Sequence, residues 1–137
     1  MATVNFKFLE HTADIKFVAY GASLEKVFRS CALALAHYVT GGKKVAEKKR
    51  KKILIRRDNP EALLYNFLDE LLYLLDAEGF VVSDVDVSIK GDALEAIVLG
   101  DDSKHYNHLS HIKAATYAEM YIKKKKTGWE AQVVLDV

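Results

Sequence analysis

The chain has 137 residues, with 20 Lys plus Arg against 19 Asp plus Glu, one cysteine and one proline. This length suits one domain, residues 1–137, around one core, and a half-hydrophobic composition with 28% charged residues is that of a folded protein, not a disordered one. Cys31 is alone, which excludes an internal disulfide and a zinc site built on several cysteines, and its neighbours Ala32, Leu33 and Ala34 mark it as a buried apolar residue. No run approaches the roughly 18–20 apolar residues of a membrane span, and the start MATVNFKFLEH lacks a basic flank before an apolar run, so no membrane partner and a cytoplasmic location are expected.

The net charge of +1 hides a division. Nine basic residues and one acid, Glu47, lie between Lys43 and Arg57, and Lys123 to Lys126 add four more cations. The rest of the chain carries 7 basic residues against 18 acids. Such a layout speaks to partners and steering, not to fold.

Val4 to Leu9 alternates apolar and polar residues and predicts a strand. After the break at Glu10-His11-Thr12-Ala13-Asp14, the β-branched and aromatic Ile15 to Tyr20 predicts a second, ended by Gly21. Ser23 then reads as a helix N-cap, and Leu24, Val27, Phe28, Cys31, Leu35 and Tyr38 recur at helical spacing, predicting a helix over 23–40 that stops at Gly41-Gly42. Beyond the charged stretch from Lys43, Ile53-Leu54-Ile55 predicts a strand. Asn59-Pro60-Glu61 opens a second helix, whose apolar stripe runs from Leu64 to Leu75 and which Gly79 closes. Val85, Val87 and Ile89 alternate with polar residues before a turn at Lys90-Gly91-Asp92, and Leu94 to Leu99 completes a hairpin. Gly100 to His111 reads as an extended loop. Ala114 to Lys123 and Trp129 to Val137 are the last strands, with Thr127-Gly128 as their turn. This order predicts an α+β fold: two helices packed on a mainly antiparallel or mixed sheet.

Most chemical motifs fail. Gly41-Gly42-Lys43-Lys44 lacks the earlier glycine and the following Ser/Thr of a P-loop and follows a helix instead of opening one. The three-residue spacing of His105, His108 and His111 gathers them on one ion neither as strand nor as helix, so they read as solvated loop histidines. No serine sits at a nucleophile elbow. The Lys43 to Arg57 run suits contact with a phosphate backbone, but it holds no aromatic to stack on a base, and a solvated edge strand whose lysines discourage pairing fits it as well.

The chain's two ends offer more. Asp136 is followed by the carboxylate of Val137, an oxygen-rich pair of the kind hard divalent cations take. Spacing alone favours a solvated strand end there and an ordinary turn residue at Asp14.

Larger blocks carry a resemblance. Phe8-Leu9-Glu10-His11-Thr12-Ala13-Asp14-Ile15, then Gly21 and Ser23-Leu24-Glu25-Lys26-Val27-Phe28, resemble the N-terminal signature of the archease family. Leu63 to Leu72 resembles the family's second helix, Ile112-Lys113-Ala114-Ala115-Thr116-Tyr117 its next block, and Val133-Val134-Leu135-Asp136-Val137 its ending. The resemblance implies a split β-α-β fold with an inserted strand-helix-strand-strand module. It implies an accessory protein, not an enzyme, that acts on an RtcB-type tRNA-splicing ligase and promotes guanylylation of the ligase by GTP and metal for multiple turnover. The alternative it implies is a chaperone-like modulator of a tRNA cytosine methyltransferase, or a basic module touching tRNA through Lys43 to Arg57. Carried over by position, Asp14, Asp136 and Val137 would hold a divalent ion (Ca, Mg or Mn), Lys113 and His105 would face a phosphate or partner, and Glu10 and His11 would orient the Asp14 loop. One departure stands out: Tyr117 is followed by Ala118 where the family commonly has histidine.

Overall fold

The computed structural model describes residues 5–10 and 14–137. Its strands are β1 (Phe6–Leu9), β2 (Ile15–Gly21), β3 (Lys49–Arg56), β4 (Phe80–Lys90), β5 (Ala93–Asp102), β6 (Ala114–Lys125) and β7 (Gly128–Asp136), and its helices are α1 (Leu24–Thr40) and α2 (Pro60–Glu78). The α+β class read from the sequence is what the chain adopts, with one addition: the strands divide into two sheets, ordered β1-β2-β7-β6 and β3-β5-β4, and all their pairings are antiparallel.

The division follows chain order. The three-stranded sheet and α2 come entirely from residues 49–102, so strand β3, helix α2 and strands β4 and β5 form the inserted module. In the other sheet β7 pairs antiparallel with both β2 and β6, which makes β2 and β6 parallel with β7 between them; β2-α1-β6 is the split β-α-β unit.

Local chemistry sets the helix ends. The Ser23 hydroxyl accepts from the Lys26 N–H at 3.2 Å, and the Asn59 side chain accepts from the Ala62 N–H at 2.8 Å, each satisfying one of the donors a helix start leaves free. Both helices end on a glycine in the left-handed region, Gly41 at φ 68° and Gly79 at φ 61°, where a side chain would be strained. Helix α1 packs on β2 and β7 of one sheet and on β4 of the other, and α2 on β6, β3 and β4. One hydrophobic cluster therefore spans the molecule, with Phe17, Phe28, Phe67, Phe80 and Leu64 fully buried. Cys31 lies in it, and burial pushes its thiol pKa far above the ordinary range, which makes it inert.

Three strand limits differ from the pattern reading: β4 begins at Phe80, before the alternating run from Val85, and β3 and β5 are also longer than read. Strand β3 begins at Lys49, because its lysines alternate: Lys51, Ile53 and Ile55 share one face, and Lys51 reaches Glu78 of α2 at 2.7 Å. Strand β5 runs on to Asp102, and Ser103–His105 forms one helical turn where an extended loop was expected. Among the described residues no helix is long and apolar enough to cross a membrane.

Candidate functional site

Strand pairing brings the predicted carboxylates together. Ile15 of β2 stands opposite Leu135 of β7 as the last pair of that ladder; Asp14 immediately precedes Ile15 and Asp136 immediately follows Leu135, so the two lie at the same end of the sheet. Opposite residues of an antiparallel pair share a sheet face. Ile15, Phe17 and Ala19 belong to or pack on the core with their partners Leu135, Val133 and Ala131, so Asp136, next to Leu135 on β7, belongs to the other face. Asp14 and Asp136 are both half-buried. Among the described residues neither side chain takes part in a hydrogen bond or ion pair.

The third strand joins the same tip. Ala114 of β6 pairs with Asp136, and the Lys113 N–H donates to the Asp136 carbonyl at 2.8 Å. Buried Ile112 and Ala115 fix that segment, while Lys113 itself is exposed. The Val137 side chain packs against the core one residue past Asp136. Glu10 is exposed; His11 lies outside the described residues. The donor set is hard oxygen, which suits Ca, Mg or Mn. Among the described residues no three His, Cys, Asp or Glu side chains converge, so a metal here would depend on the two aspartates and the Val137 carboxylate.

Beyond the tip, β6 leaves its partner: four residues, Tyr117 to Met120, stand where β7 has one, between the pairs Thr116–Val134 and Tyr121–Gln132. This arch was not legible in the sequence. Thr116 Oγ1 donates to the Val134 carbonyl at 2.9 Å and accepts from the Ala118 N–H at 3.2 Å, closing the departure. Tyr117 stacks on Tyr65 of α2 at 4.3 Å, and Glu119, at φ 53°, accepts from Lys16 Nζ at 3.0 Å.

His105 lies elsewhere, at the end of the inserted module. Its Nδ1 is 3.2 Å from both oxygens of buried Asp101, which also accepts from the Tyr106 hydroxyl at 2.9 Å and the Asp102 N–H at 2.8 Å. Burial pushes the Asp101 pKa up, but these hydrogen bonds outweigh it and hold it below the usual carboxylate range. Tyr106 in turn accepts from the Ala46 N–H at 2.9 Å, fastening the segment before β3. Neither Asp101 nor Tyr106 was singled out from sequence; the Asp-x-x-x-His spacing across a turn was the available signal. His108 and His111 are exposed loop residues, as expected.

The basic run resolves into an edge strand, as one of its two readings held. Four of its nine cations are paired within the chain: Lys49 with Asp102, Lys51 with Glu78, Lys52 with Glu95 and Arg56 with Asp92.

Residues 6–137 match the model of the Archease protein family (MTH1598/TM1083). The chain belongs to the archease family. It is 40% identical to the archease of Pyrococcus abyssi, over 93% of this chain and 95% of that one, and 34% identical to that of Methanosarcina mazei, over 96% and 95%. Its fold is similar to the solution structure of Methanobacterium thermoautotrophicum protein 1598 (TM-score 0.81, 29% identity, 98% of this chain and 100% of that one). It is also similar in fold to the crystal structure of an archease, "possible chaperone", from Thermotoga maritima (TM-score 0.65, 19% identity, 96% of each).

Proposed function

We propose that the chain is a non-catalytic activator of an RtcB-type RNA-splicing ligase in tRNA splicing, and that its working end is the tip carrying Asp14, Asp136 and Lys113. The observation that supports this reading is the strand register: it brings Asp14 and Asp136 to the same end of the β2–β7 ladder, where neither carboxylate has an ion pair or hydrogen bond among the described residues. Carboxylates that have no partner within the fold are open to one from outside it.

Asp14, Asp136 and the carboxylate of Val137 would hold a divalent ion, which when bound supplies positive charge for phosphate oxygens of the nucleotide used in guanylylation. The chain's own contribution is positional. The β2–β7 ladder brings both aspartates to one end of the sheet, and the hydrogen bond from the Lys113 N–H to the Asp136 carbonyl ties the Lys113 backbone to the same end, from which its exposed side chain would reach a bound phosphate. A lysine so placed meets a phosphate as a point charge.

The test is ligase guanylylation and multiple-turnover RNA joining with Asp14→Asn and Asp136→Asn chains. Loss of stimulation in both supports the reading; full stimulation by either variant sinks it. The rival, a chaperone-like modulator of a tRNA methyltransferase contacting RNA through the basic run, has weaker support, since four of those cations already face the chain's own acids. Unaltered methyltransferase and tRNA binding after neutralising Lys48 and Arg50 would remove it.

A further inference from the structure

The inserted module has one face without a helix. Ile53, Ile55, Val85, Leu94, Ala96 and Val98 turn into the core, so the alternate residues of β3, β5 and β4 turn outward. The registers put them in rows across the three strands. One row reads Arg50, Leu99, Asp84 and the next Lys52, Ile97, Asp86. Both rows are cationic on β3, apolar on central β5 and anionic on β4.

That pattern is its own complement. A two-fold axis parallel to β5, lying in front of this face, carries β3 of one copy over β4 of the other and lays β5 on β5. Arg50 then meets Asp84, Lys52 meets Asp86, and Leu99 and Ile97 meet themselves on the axis. Each pairing occurs twice, as in any isologous contact. We propose that this face is a docking surface for a second copy of the same chain, paired sheet to sheet about that axis.

The charges are available for it in different degrees. Asp84 is already held by Arg29 from α1, with Nε–Oδ1 2.9 Å and Nη2–Oδ2 3.1 Å. Asp86 is exposed and has no ion pair among the described residues, so the Lys52–Asp86 row carries most of the selectivity. Lys52 has only Glu95, at 3.4 Å on a pair of half-exposed side chains, a contact worth little in water. Beyond these rows the complement ends, because Glu95 would meet itself and Arg56 would meet Lys90. The contact is therefore small. With a rise of about 3.4 Å per residue and strands about 4.8 Å apart, the whole face covers roughly 400 Å² per copy. A total near 800 Å² is below the 1,200 Å² or so of stable complexes and gives a weak, salt-sensitive association.

Sedimentation equilibrium of the full chain at low salt, from about 10 μM to about 1 mM, reads this association directly. A concentration-dependent dimer that weakens as salt rises is expected, and a monomer throughout overturns the proposal. Lys52→Glu or Asp86→Lys alone should each weaken the dimer at least about tenfold, because each sets two like-charge contacts across the axis. The double variant Lys52→Glu/Asp86→Lys should recover it to within about threefold. A dimer indifferent to the single changes, or one the double change does not restore, places the contact elsewhere and refutes the facing strands. Circular dichroism of each variant checks that the fold is kept, and Ile97→Glu, on the axis, provides a second disruption independent of the charge rows.

Discussion

Strand β7 carries two acidic side chains on one face, six residues apart, in opposite circumstances. Glu130 is surrounded by donors: the Tyr121 hydroxyl at 2.6 Å and Lys125 Nζ at 2.8 Å bind its two oxygens. Asp136 has no such partner among the described residues and lies at the end of the ladder where Asp14 precedes β2. Asp101 repeats the first condition in the other sheet, with Tyr106, His105 and its own chain's N–H filling its oxygens. The lesson is that satisfaction separates structural acids from acids kept for something outside the chain.

The sharpest way to break this contrast is to neutralise the bare pair. Asp136→Asn and Asp14→Asn should abolish stimulation of ligase guanylylation while leaving the melting temperature unchanged, since neither carboxylate has a partner among the described residues to lose. A large loss of thermal stability in either variant would mean that the pair is structural after all. Lys113→Ala should reduce stimulation by about tenfold without abolishing it, as the loss of one phosphate-facing cation does. Unchanged stimulation would remove the lysine from the site.

Asp101→Asn should behave in the opposite way. It replaces an acceptor of three donors with a group that must itself donate, so the melting temperature should fall by several degrees in a calorimetric scan while stimulation at low temperature persists. The pH dependence has a defined sign. Because the folded carboxyl is held below the usual range, its contribution is present above the unfolded carboxyl's titration and is lost as pH falls through the folded one. The variant should lack that part of the wild type's loss of stability in acid.

How much of this was readable depended on whether a feature was local. Helix caps at Ser23 and Asn59, the stops at Gly41 and Gly79 and the alternation of Val85 to Ile89 are written in adjacent residues, and all take the predicted form. The nearness of Asp14 to Asp136 required the family resemblance, because 122 positions separate them and only the β2–β7 register joins them. The arch of β6 was invisible for a different reason: Ala118 and Glu119 are only mildly unfavourable in a strand, and the departure is held by Thr116 and by the Tyr65–Tyr117 stack, both long-range contacts. The Asp101 network lay in a polar stretch whose length suggested a loop. What made it a turn was a buried acceptor that composition alone does not reveal.

The mildest test stays on β7 and asks how strongly its satisfied acid is held. Burial first, and the hydrogen bond to Glu130 second, push the Tyr121 phenol up to about 12, while Lys125 and Tyr121 hold Glu130 below the usual carboxylate range. The two signs are opposite: Glu130's contribution to stability is lost as pH falls through its lowered pKa, and Tyr121's is lost as pH rises from the usual tyrosine range through about 12. Replacing the acid in Glu130→Gln removes the charge but keeps an acceptor of similar shape. Absorbance at 295 nm should then show Tyr121 ionising part of the way back towards the ordinary value of about 10, and still above it because burial remains. A titration that does not move would mean that burial alone sets the phenol, and that Glu130 is as poorly coupled to its neighbours as Asp136 is to its own.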